Sequence, residues 1–215
     1  MPSRLVHRFI CAAGSLGACL AILAGCGGDA IAQASASTSA SAFTLSSPDL
    51  ASGHFDARFV LNGFGCSGSN LSPALQWRNV PPGTRSFAIQ MHDPDAPTGS
   101  GFWHWAVYNI PASATGLAQG AGNSNAALPA PAYGGNTDFF DTGATGATGT
   151  SAGPCPPAGD APHRYVTTLY ALAVDDIAVA GVPRSGTAGL HGFVLNRGLG
   201  EKVLRKATLT ATYGR

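Results

Sequence analysis

Charged residues are scarce in this chain of 215 residues. Asp, Glu, Lys and Arg make up only 11% of it, and Glu201 is the one glutamate. No basic run occurs, so nucleic acid is not an expected partner. No CxxC or HxxxH spacing occurs either, so neither a metal site nor a cofactor is predicted. The low charge and a hydrophobic content of 45% argue against a disordered chain.

Long apolar runs are missing outside the N-terminus. A basic start that contains Arg4 and Arg8 precedes Phe9–Gly25, which is almost wholly apolar or small. This run is short for a membrane-spanning helix and has the pattern of a signal peptide. The sequence therefore predicts an exported protein.

The leader offers two cleavage sites. Leu23–Cys26 resembles the lipobox of bacterial lipoproteins, so residues 1–26 are predicted as a lipoprotein-type signal peptide with lipidation of Cys26. Ala32–Ala34 offers an A-x-A site, and ordinary cleavage after residue 34 is the alternative. The product is a membrane-anchored lipoprotein in the first case and a periplasmic or secreted protein in the second. Contact with the membrane is expected only through the lipid.

The region after the leader divides into a linker and a domain. Residues 27–42 are mainly Ala, Ser, Gly and Thr, so they are predicted as a flexible linker before a folded domain over residues 43–215. Loss of Arg4 and Arg8 lowers Lys plus Arg from 12 to 10, and Asp plus Glu falls from 11 to 10 only if Asp29 is also lost. The mature protein therefore has a net charge of −1 or 0.

Cysteine is rare in the predicted domain. Cys66 and Cys155 are the two that remain after the leader. An even pair in an exported protein favours a disulfide, and two separate buried thiols are the alternative.

The stretch Met91–Pro111 predicts a strand, a rigid turn and a second strand. The first strand, Arg85–His92, alternates apolar residues with smaller or more polar ones. In the second strand, Trp103 and Trp105 are predicted to share one face and to lie in the core. The turn between the two strands contains Pro, which restricts the backbone, and Gly, which permits sharp bends. This turn also carries Asp93. This stretch is interpreted as one wall of a binding site.

A second proline-rich loop repeats the arrangement. Within Pro154–Val174, Asp160 precedes His163, which opens a predicted central strand. Asp93 precedes His104 in the same way. In both stretches, a stiff loop thus contains an acidic residue, and a histidine follows it at the start of a strand.

Other segments give weaker signals. Phe59–Leu61 and Lys206–Tyr213 are predicted as strands, and Ser185–Gly200 as a helix in spite of its glycines. His191, in that helix, is predicted to face solvent or to pack rather than to bind a ligand. Gly149–Gly153 matches GxSxG, but no apolar strand precedes it and prolines follow, so the match is attributed to chance.

Several motifs in the same order resemble the phosphatidylethanolamine-binding protein family, in its bacterial Raf-kinase-inhibitor-like branch. The resemblance covers most of Phe43–Arg215. The tract Thr142–Thr150 departs from the family and indicates a lengthened loop. The motifs that carry the resemblance are Asn70-Leu71-Ser72-Pro73, Asp93-Pro94-Asp95-Ala96-Pro97, Trp103-His104-Trp105, Asn109-Ile110-Pro111, Pro156-Pro157, Gly159-Asp160, His163-Arg164-Tyr165 and the ending Ala211–Arg215.

The resemblance implies a mostly β fold: a β-sandwich-like core of mainly antiparallel strands with a few short peripheral helices. It also implies a small pocket for an anion. The matching residues that would bind the ligand are Asp93, Pro97, Phe102, His104, Pro156, Pro157, His163 and Tyr165.

The favoured hypothesis is a non-enzymatic binding protein for phosphate-bearing or phospholipid head-group-like ligands, which acts in part through a protein partner. No catalytic residue is predicted. A hydrolase or lyase is one alternative, with Asp93, His104 and His163 as acid, base or metal ligands. An extracytoplasmic protein-interaction domain with a vestigial pocket is the other.

Overall fold

Antiparallel β-strands make up most of the regular structure. The computed structural model describes residues 41–140 and 150–215. The predicted signal peptide, both cleavage sites, Cys26 and most of the Thr142–Thr150 tract lie outside the described residues. The strands are β1 Thr44–Ser46, β2 Asn62–Gly63, β3 Cys66–Ser67, β4 Leu75–Arg78, β5 Ser86–Asp93, β6 Phe102–Pro111, β7 Gly116–Leu117, β8 Tyr133–Gly134, β9 His163–Leu172 and β10 Val203–Tyr213.

The helical elements are short and lie between β7 and β8 and between β9 and β10. The one α-helix among the described residues, α1, spans Ala188–Phe193, and a π-helical segment continues it over Val194–Gly198. The predicted helix over Ser185–Gly200 is thus shorter than expected and changes its winding, in a segment rich in glycine. The 3₁₀ turns are Ala121–Asn123, Asn125–Ala127, Ile177–Ala180 and Gly200–Lys202.

Two sheets and a hairpin organise these strands. The large sheet has the order β10-β9-β5-β6-β8, and the small sheet has the order β1-β4-β7. Each pairing in both sheets is antiparallel. The hairpin β2-β3 stands apart from them. The prediction of a mostly β, mainly antiparallel fold with short peripheral helices is confirmed.

Hydrophobic cores lie on both faces of the large sheet. On one face, Trp77 of the small sheet packs on Phe87 of β5, with ring centroids 5.2 Å apart. On the other face, Tyr108 and Tyr170 of the sheet pack with Leu195 of the helical segment. Most of β5, and β9 from Leu169 onward, are covered on both faces, and most residues there are apolar, as expected for central strands.

A β-bulge changes the predicted faces of β6. Met91 lies opposite Trp105, but the next residue, His92, lies opposite Trp103, so His104 is the extra residue of β6. Trp105 therefore belongs to the core between the sheets, whereas Trp103 packs on the helical side. The prediction that the two tryptophans share a face is wrong, because simple alternation does not account for a bulge.

The prediction of a strand at Phe59–Leu61 is also wrong. All three side chains are buried, but their backbone forms irregular bonds: Leu61 N–H donates to Pro154 O at 3.1 Å, and Asn70 N–H donates to Val60 O at 2.9 Å. Apolar content alone thus predicted the burial of this segment but not its backbone conformation.

The closing strand fits its prediction more closely. β10 begins at Val203, a little earlier than expected, and pairs with β9 at an edge of the large sheet. Ala207 and Ala211 are buried, whereas Thr208 and Thr210 are exposed. The alternation of threonine with apolar residues therefore marks an edge strand with one solvated face.

Candidate functional site

A cavity of about 330 Å³ opens at the end of the large sheet where β5 ends and where β6 and β9 begin. The lining residues include all eight that the sequence predicts as ligand-binding. These are Asp93, Pro97, Phe102, His104, Pro156, Pro157, His163 and Tyr165. The antiparallel register places the end of β5 beside the start of β9, which is why residues so distant in the chain meet here.

Asp93 lies at the centre of the site and is 2% exposed. Its Oδ1 accepts hydrogen bonds from the backbone N–H groups of Asp95 at 2.9 Å and Ala96 at 3.1 Å. Its Oδ2 lies 2.8 Å from His163 Nδ1 and 4.0 Å from His104 Nε2. One carboxylate thus orders the turn and orients the imidazole of His163.

His163, 3% exposed, lies between two carboxylates. Its Nδ1 faces Asp93, and its Nε2 is 3.4 Å from Asp160 Oδ2. Burial lowers the pKa of His163, but the hydrogen bonds and charges of Asp93 and Asp160 outweigh burial, so the net pKa is raised. The ring therefore favours its charged form, with both N–H groups directed at acceptors.

His104 has the opposite tendency. Its ring is 5% exposed, and its Nδ1 is 3.2 Å from Ala152 O. Burial lowers the pKa of His104 to about 4, against the weaker opposing effect of Asp93. A carbonyl oxygen can only accept, so the neutral ring carries its proton on Nδ1 and presents a lone pair at Nε2.

A chain of backbone contacts holds His104 in this orientation. Ala152 N–H donates to His104 O at 3.0 Å, and Gly153 N–H donates to the side-chain oxygen of Asn70 at 2.7 Å. Asn70, with φ 52, belongs to the upstream motif Asn70–Pro73. The sequence predicts no role for Asn70. In the structure, its side-chain oxygen holds the Ala152–Gly153 segment, whose carbonyl fixes the ring of His104.

Aromatic rings form the apolar wall of the cavity. The ring of His104 lies edge-on to Tyr165, with centroids 5.1 Å apart, and 5.1 Å from Phe102. Phe139 contacts Phe102 at 4.8 Å, and Phe64 lies 5.9 Å from Phe139 at the rim. Burial, and then the Asp93 carboxylate, raise the pKa of Tyr165, so its hydroxyl keeps its proton.

Arg215 lines the cavity and is absent from the predicted set. Its Nε donates to Pro156 O at 2.7 Å, Nη1 to Gly65 O at 3.0 Å and Nη2 to Phe64 O at 3.3 Å. The guanidinium therefore joins the hairpin loop to the proline loop and brings a positive charge to the rim. The ending Ala211–Arg215 carried part of the resemblance, and that is the sequence signal that could have identified this residue.

The predicted disulfide is present. Cys66 and Cys155 are bonded, so β3 is joined to the loop of Pro156 and Pro157. This bond and the Arg215 side chain hold the same two segments together. Other lining residues that the sequence did not single out are Leu61, Phe64, Ala96, Thr98 and Phe139.

A bidentate ion pair ties the two proline-rich loops together. Asp95 accepts from Arg164 Nε at 2.8 Å, from Arg164 Nη2 at 2.6 Å and from the Arg164 backbone N–H at 2.8 Å. The guanidinium of Arg164 lowers the pKa of Asp95 to about 2. This pairing helps fix the distance between Asp93 and His163, which are close neighbours of the pair in sequence.

The other motifs do not form reactive sites. Among the described residues, no group of three His, Cys, Asp or Glu side chains is arranged to hold a metal. Ser151 of the GxSxG match is buried in an irregular segment, and its backbone N–H donates to Gly122 O at 2.6 Å. His191 is fully buried and packs edge-on against Tyr108 at 4.6 Å, so of the two predicted alternatives it packs and does not face solvent.

Comparison with known families decides the classification. The model of the family described as "Phosphatidylethanolamine-binding protein" matches residues 51–214. The chain belongs to the phosphatidylethanolamine-binding protein family. The resemblance that the motifs indicated is thereby confirmed, and family membership makes the chain a binding protein in the general sense of that name.

Two Escherichia coli K12 relatives in this family align with most of the chain. The UPF0098 protein YbcL is 43% identical over 162 residues, which are 74% of this chain and 83% of YbcL. The UPF0098 protein YbhB is 40% identical over 156 residues, which are 73% of this chain and 89% of YbhB. LppC of Mycobacterium tuberculosis H37Rv, named as a candidate lipoprotein, is 37% identical over 117 residues, which are 52% of this chain and 48% of LppC.

Solved structures of the phosphatidylethanolamine-binding protein family share the fold. The crystal structure of E. coli YbcL superposes with a TM-score of 0.70 at 39% identity, covering 80% of this chain and 98% of YbcL. CT736 of Chlamydia trachomatis gives a TM-score of 0.61 at 25% identity, covering 81% of this chain and 98% of CT736. Within the part of the chain that the structure describes, no helix is both long and apolar enough to cross a membrane.

Proposed function

We propose that the cavity binds small anionic ligands, and in particular phosphate-bearing head groups, without chemical change to them. The observation that carries this proposal is that Arg215 and His163, whose pKa is raised by two carboxylates, line one cavity beside an aromatic wall. A volume of about 330 Å³ is at the lower end of the range for small-molecule sites. It exceeds what a bare phosphate needs and leaves room for a few carbon atoms.

The donors set the expected strength of binding. Arg215 uses three of its N–H groups on backbone carbonyls, so two of its five remain for a ligand. A hydrogen bond to a charged group contributes about 1.5–3 kcal/mol, so two of them give about 3–6 kcal/mol, which corresponds to a Kd between about 10 mM and about 0.05 mM for a bare anion. Contact with Phe102 and Phe139 would tighten binding of a head group that carries carbon atoms.

Catalysis has less support than binding. The Asp93–His163 pair has the geometry of a base and its orienting carboxylate. Among the described residues that line the cavity, however, the one aliphatic hydroxyl is that of Thr98, and it already donates to Gly101 O. A phosphatase and esterase assay of the purified protein tests this alternative. Turnover that His104→Ala abolishes without loss of fold would overturn the binding proposal.

The binding test uses the histidine rings as reporters. Inorganic phosphate and phosphoethanolamine are titrated into the purified mature protein while the ring C–H signals are followed by NMR. Binding is expected to shift the signals of His104 and His163. The exposed ring of His54, which lies outside the cavity and bonds Thr212 at 2.7 Å, is the internal control.

A pair of variants completes that experiment. Both N–H groups of His163 face carboxylates, so its ring attracts an anion through charge alone. His163→Gln removes that charge and is expected to weaken phosphoethanolamine binding about tenfold, which corresponds to about 1.4 kcal/mol. His54→Gln is the matched substitution outside the cavity and is expected to have no effect. If phosphate and phosphoethanolamine leave both cavity histidines unshifted, the cavity is not an anion site.

A further inference from the structure

The disulfide between Cys66 and Cys155 lies at the rim of the cavity, and Cys155 is itself one of the lining residues. We propose that this disulfide is a redox-responsive bond that controls ligand affinity: the oxidised rim binds more tightly, and reduction releases the rim and weakens binding. This inference rests on the proposed anion-binding function. It adds a control on the same cavity, and it holds for any phosphate-bearing ligand that contacts the rim.

The hairpin on one side of the disulfide has few other attachments. Cys66 pairs with Gly63 across the turn of β2-β3, and Phe64 lies in that turn. The Phe64 side chain is 58% exposed, lines the cavity and lies 5.9 Å from the ring of Phe139. Among the described residues, no backbone–backbone hydrogen bond joins residues 62–67 to the rest of the domain. The disulfide is therefore a main restraint on the position of Phe64.

The ends of this hairpin are anchored independently of the disulfide. Leu61 N–H donates to Pro154 O at 3.1 Å, and Gly68 N–H donates to Leu61 O at 3.0 Å. These bonds hold the two residues that flank the hairpin. Cleavage of the disulfide is therefore expected to free the hairpin between them and to leave the domain folded.

The base of the cavity does not depend on the disulfide either. Asp93 and His163 are 2% and 3% exposed, and Asp93 Oδ2 lies 2.8 Å from His163 Nδ1. The ion pair of Asp95 with Arg164 ties the loop after β5 to the start of β9. Reduction is therefore expected to act on the rim and to leave the buried carboxylate and imidazole in place.

The disulfide is placed for reversible reduction. Both cysteines are partly exposed, and exposed disulfides are reduced more easily than buried structural ones. A dithiol supplies two electrons and two protons: Cys66 and Cys155 become thiols, and the dithiol becomes a disulfide. Arg215 bonds Gly65 O, which precedes Cys66, and Pro156 O, which follows Cys155. These hydrogen bonds keep the two thiols near each other, so the disulfide can form again.

Reduction is expected to weaken ligand binding in two ways. A freed hairpin no longer holds Phe64 against Phe139, so the apolar contact with the carbon atoms of a head group is reduced. Arg215 also bonds Phe64 O and Gly65 O, so movement of the hairpin displaces the positive charge at the rim. By linkage, a ligand that prefers the oxidised rim protects the disulfide from reduction by the same factor.

The experiment measures the Kd of phosphoethanolamine by NMR titration of the purified mature protein, before and after equilibration with dithiothreitol. Reduction is expected to raise Kd about tenfold, the effect of one lost charge-assisted hydrogen bond, and reoxidation should restore it. A redox titration against dithiothreitol, with and without saturating phosphoethanolamine, is expected to show the same tenfold shift in the reduction equilibrium.

Two variants serve as controls. Cys66→Ser with Cys155→Ser is expected to have the Kd of the reduced protein with or without dithiothreitol, which excludes a direct effect of the reductant. Leu195→Ala, in the hydrophobic core on the helical face of the large sheet, should lower stability to a similar extent without touching the rim. Its Kd is expected to equal that of the oxidised wild type.

The outcomes separate the two proposals. Equal Kd for the oxidised and reduced protein overturns this inference and leaves the anion cavity standing. Loss of the core signals on reduction, such as that of the buried Trp105 indole, also overturns it, because the disulfide would then hold the domain rather than the rim. If the oxidised protein does not bind phosphoethanolamine at millimolar concentrations, the proposed function itself fails.

Discussion

At the scale of single residues, the site depends on two histidines whose surroundings give them opposite protonation behaviour. His104 is buried against a carbonyl and aromatic rings, and burial lowers its pKa to about 4. His163 is also buried, but two carboxylates raise its pKa above the ordinary value of 6.5. The same carboxylate, Asp93, thus lies beside one imidazole that favours its neutral form and one that favours its charged form.

A pH titration of the ring signals checks this assignment. Between pH 5 and pH 6 the His104 signals are expected to stay constant, because the ring is neutral until about pH 4. The His163 signals should titrate above 6.5. Titration of His104 and His163 together near 6.5 would contradict the assignment.

The same shifts predict opposite effects on the free energy of unfolding. A lowered folded-state pKa means that the stability linked to His104 is present above pH 6.5 and is lost as pH falls toward about 4. A raised pKa means that the stability linked to His163 is present below pH 6.5 and is lost as pH rises through its folded-state pKa. Urea unfolding of His163→Gln should therefore show a larger deficit against the wild type at pH 5 than at pH 9.

Glycine at the turn before β6 gives a second prediction at this scale. A Cβ on Gly101, with φ +73, would lie 2.5 Å from His92 Nε2 and 2.6 Å from Asp93 O. Gly101→Ala is expected to cost about 1–2 kcal/mol for the left-handed conformation and about 1–3 kcal/mol more for the clash. Gly99→Ala is the control, because φ is +84 and nothing lies within 4 Å of its Cβ. Equal losses for the two variants in urea unfolding would refute the argument.

At the scale of elements, the cavity is made where loops meet the end of one sheet. β5 brings Asp93, and the bulge in β6 brings His104 out of the regular alternation. β9 brings His163, and the Asp95–Arg164 pair ties its start to the loop after β5. The rim is a separate assembly, in which a disulfide and Arg215 join the hairpin β2-β3 to the proline loop.

The disulfide is predicted to stabilise this rim. The bond joins residues separated by 89 positions, so Cys66→Ser with Cys155→Ser is expected to cost about 2–5 kcal/mol in urea unfolding. Reduction of the wild type should lower its stability to a similar extent, whereas reductant should leave the double variant unchanged. A double variant as stable as the oxidised wild type would show that Arg215 and packing suffice.

At the scale of the whole molecule, the large sheet separates two hydrophobic cores and carries the site at one end. Asp93 and His163 are themselves only 2% and 3% exposed, so packing holds both side chains in place. The rim, by contrast, is partly exposed at Phe64 and Arg215. A rigid base with a more accessible rim is the arrangement expected of a binding protein whose ligand enters from solvent.

The attachment of the whole chain to a membrane remains a prediction from the sequence. Cys26→Ala is expected to remove a lipid, to lower the mass accordingly and to move the protein from the membrane fraction to the soluble fraction. Cys19→Ala, in the same leader, is the matched control and should change none of these. A wild-type mature N-terminus at Ser35, read by mass spectrometry, would contradict lipidation and support cleavage after residue 34 instead.

The sequence alone determined the elements whose signals are local. Alternating residues predicted β5 and β10, and Pro, Gly and Asp predicted the two turns, because backbone preferences act over a few residues. The order of the motifs predicted the family, and with it eight of the residues that line the cavity. Only tertiary structure decided that His104 is a bulge, that Asp93 bonds His163 more closely than His104, and that Arg215 joins the rim. Strand register and contacts between distant segments decide these features, because they depend on how the whole chain packs.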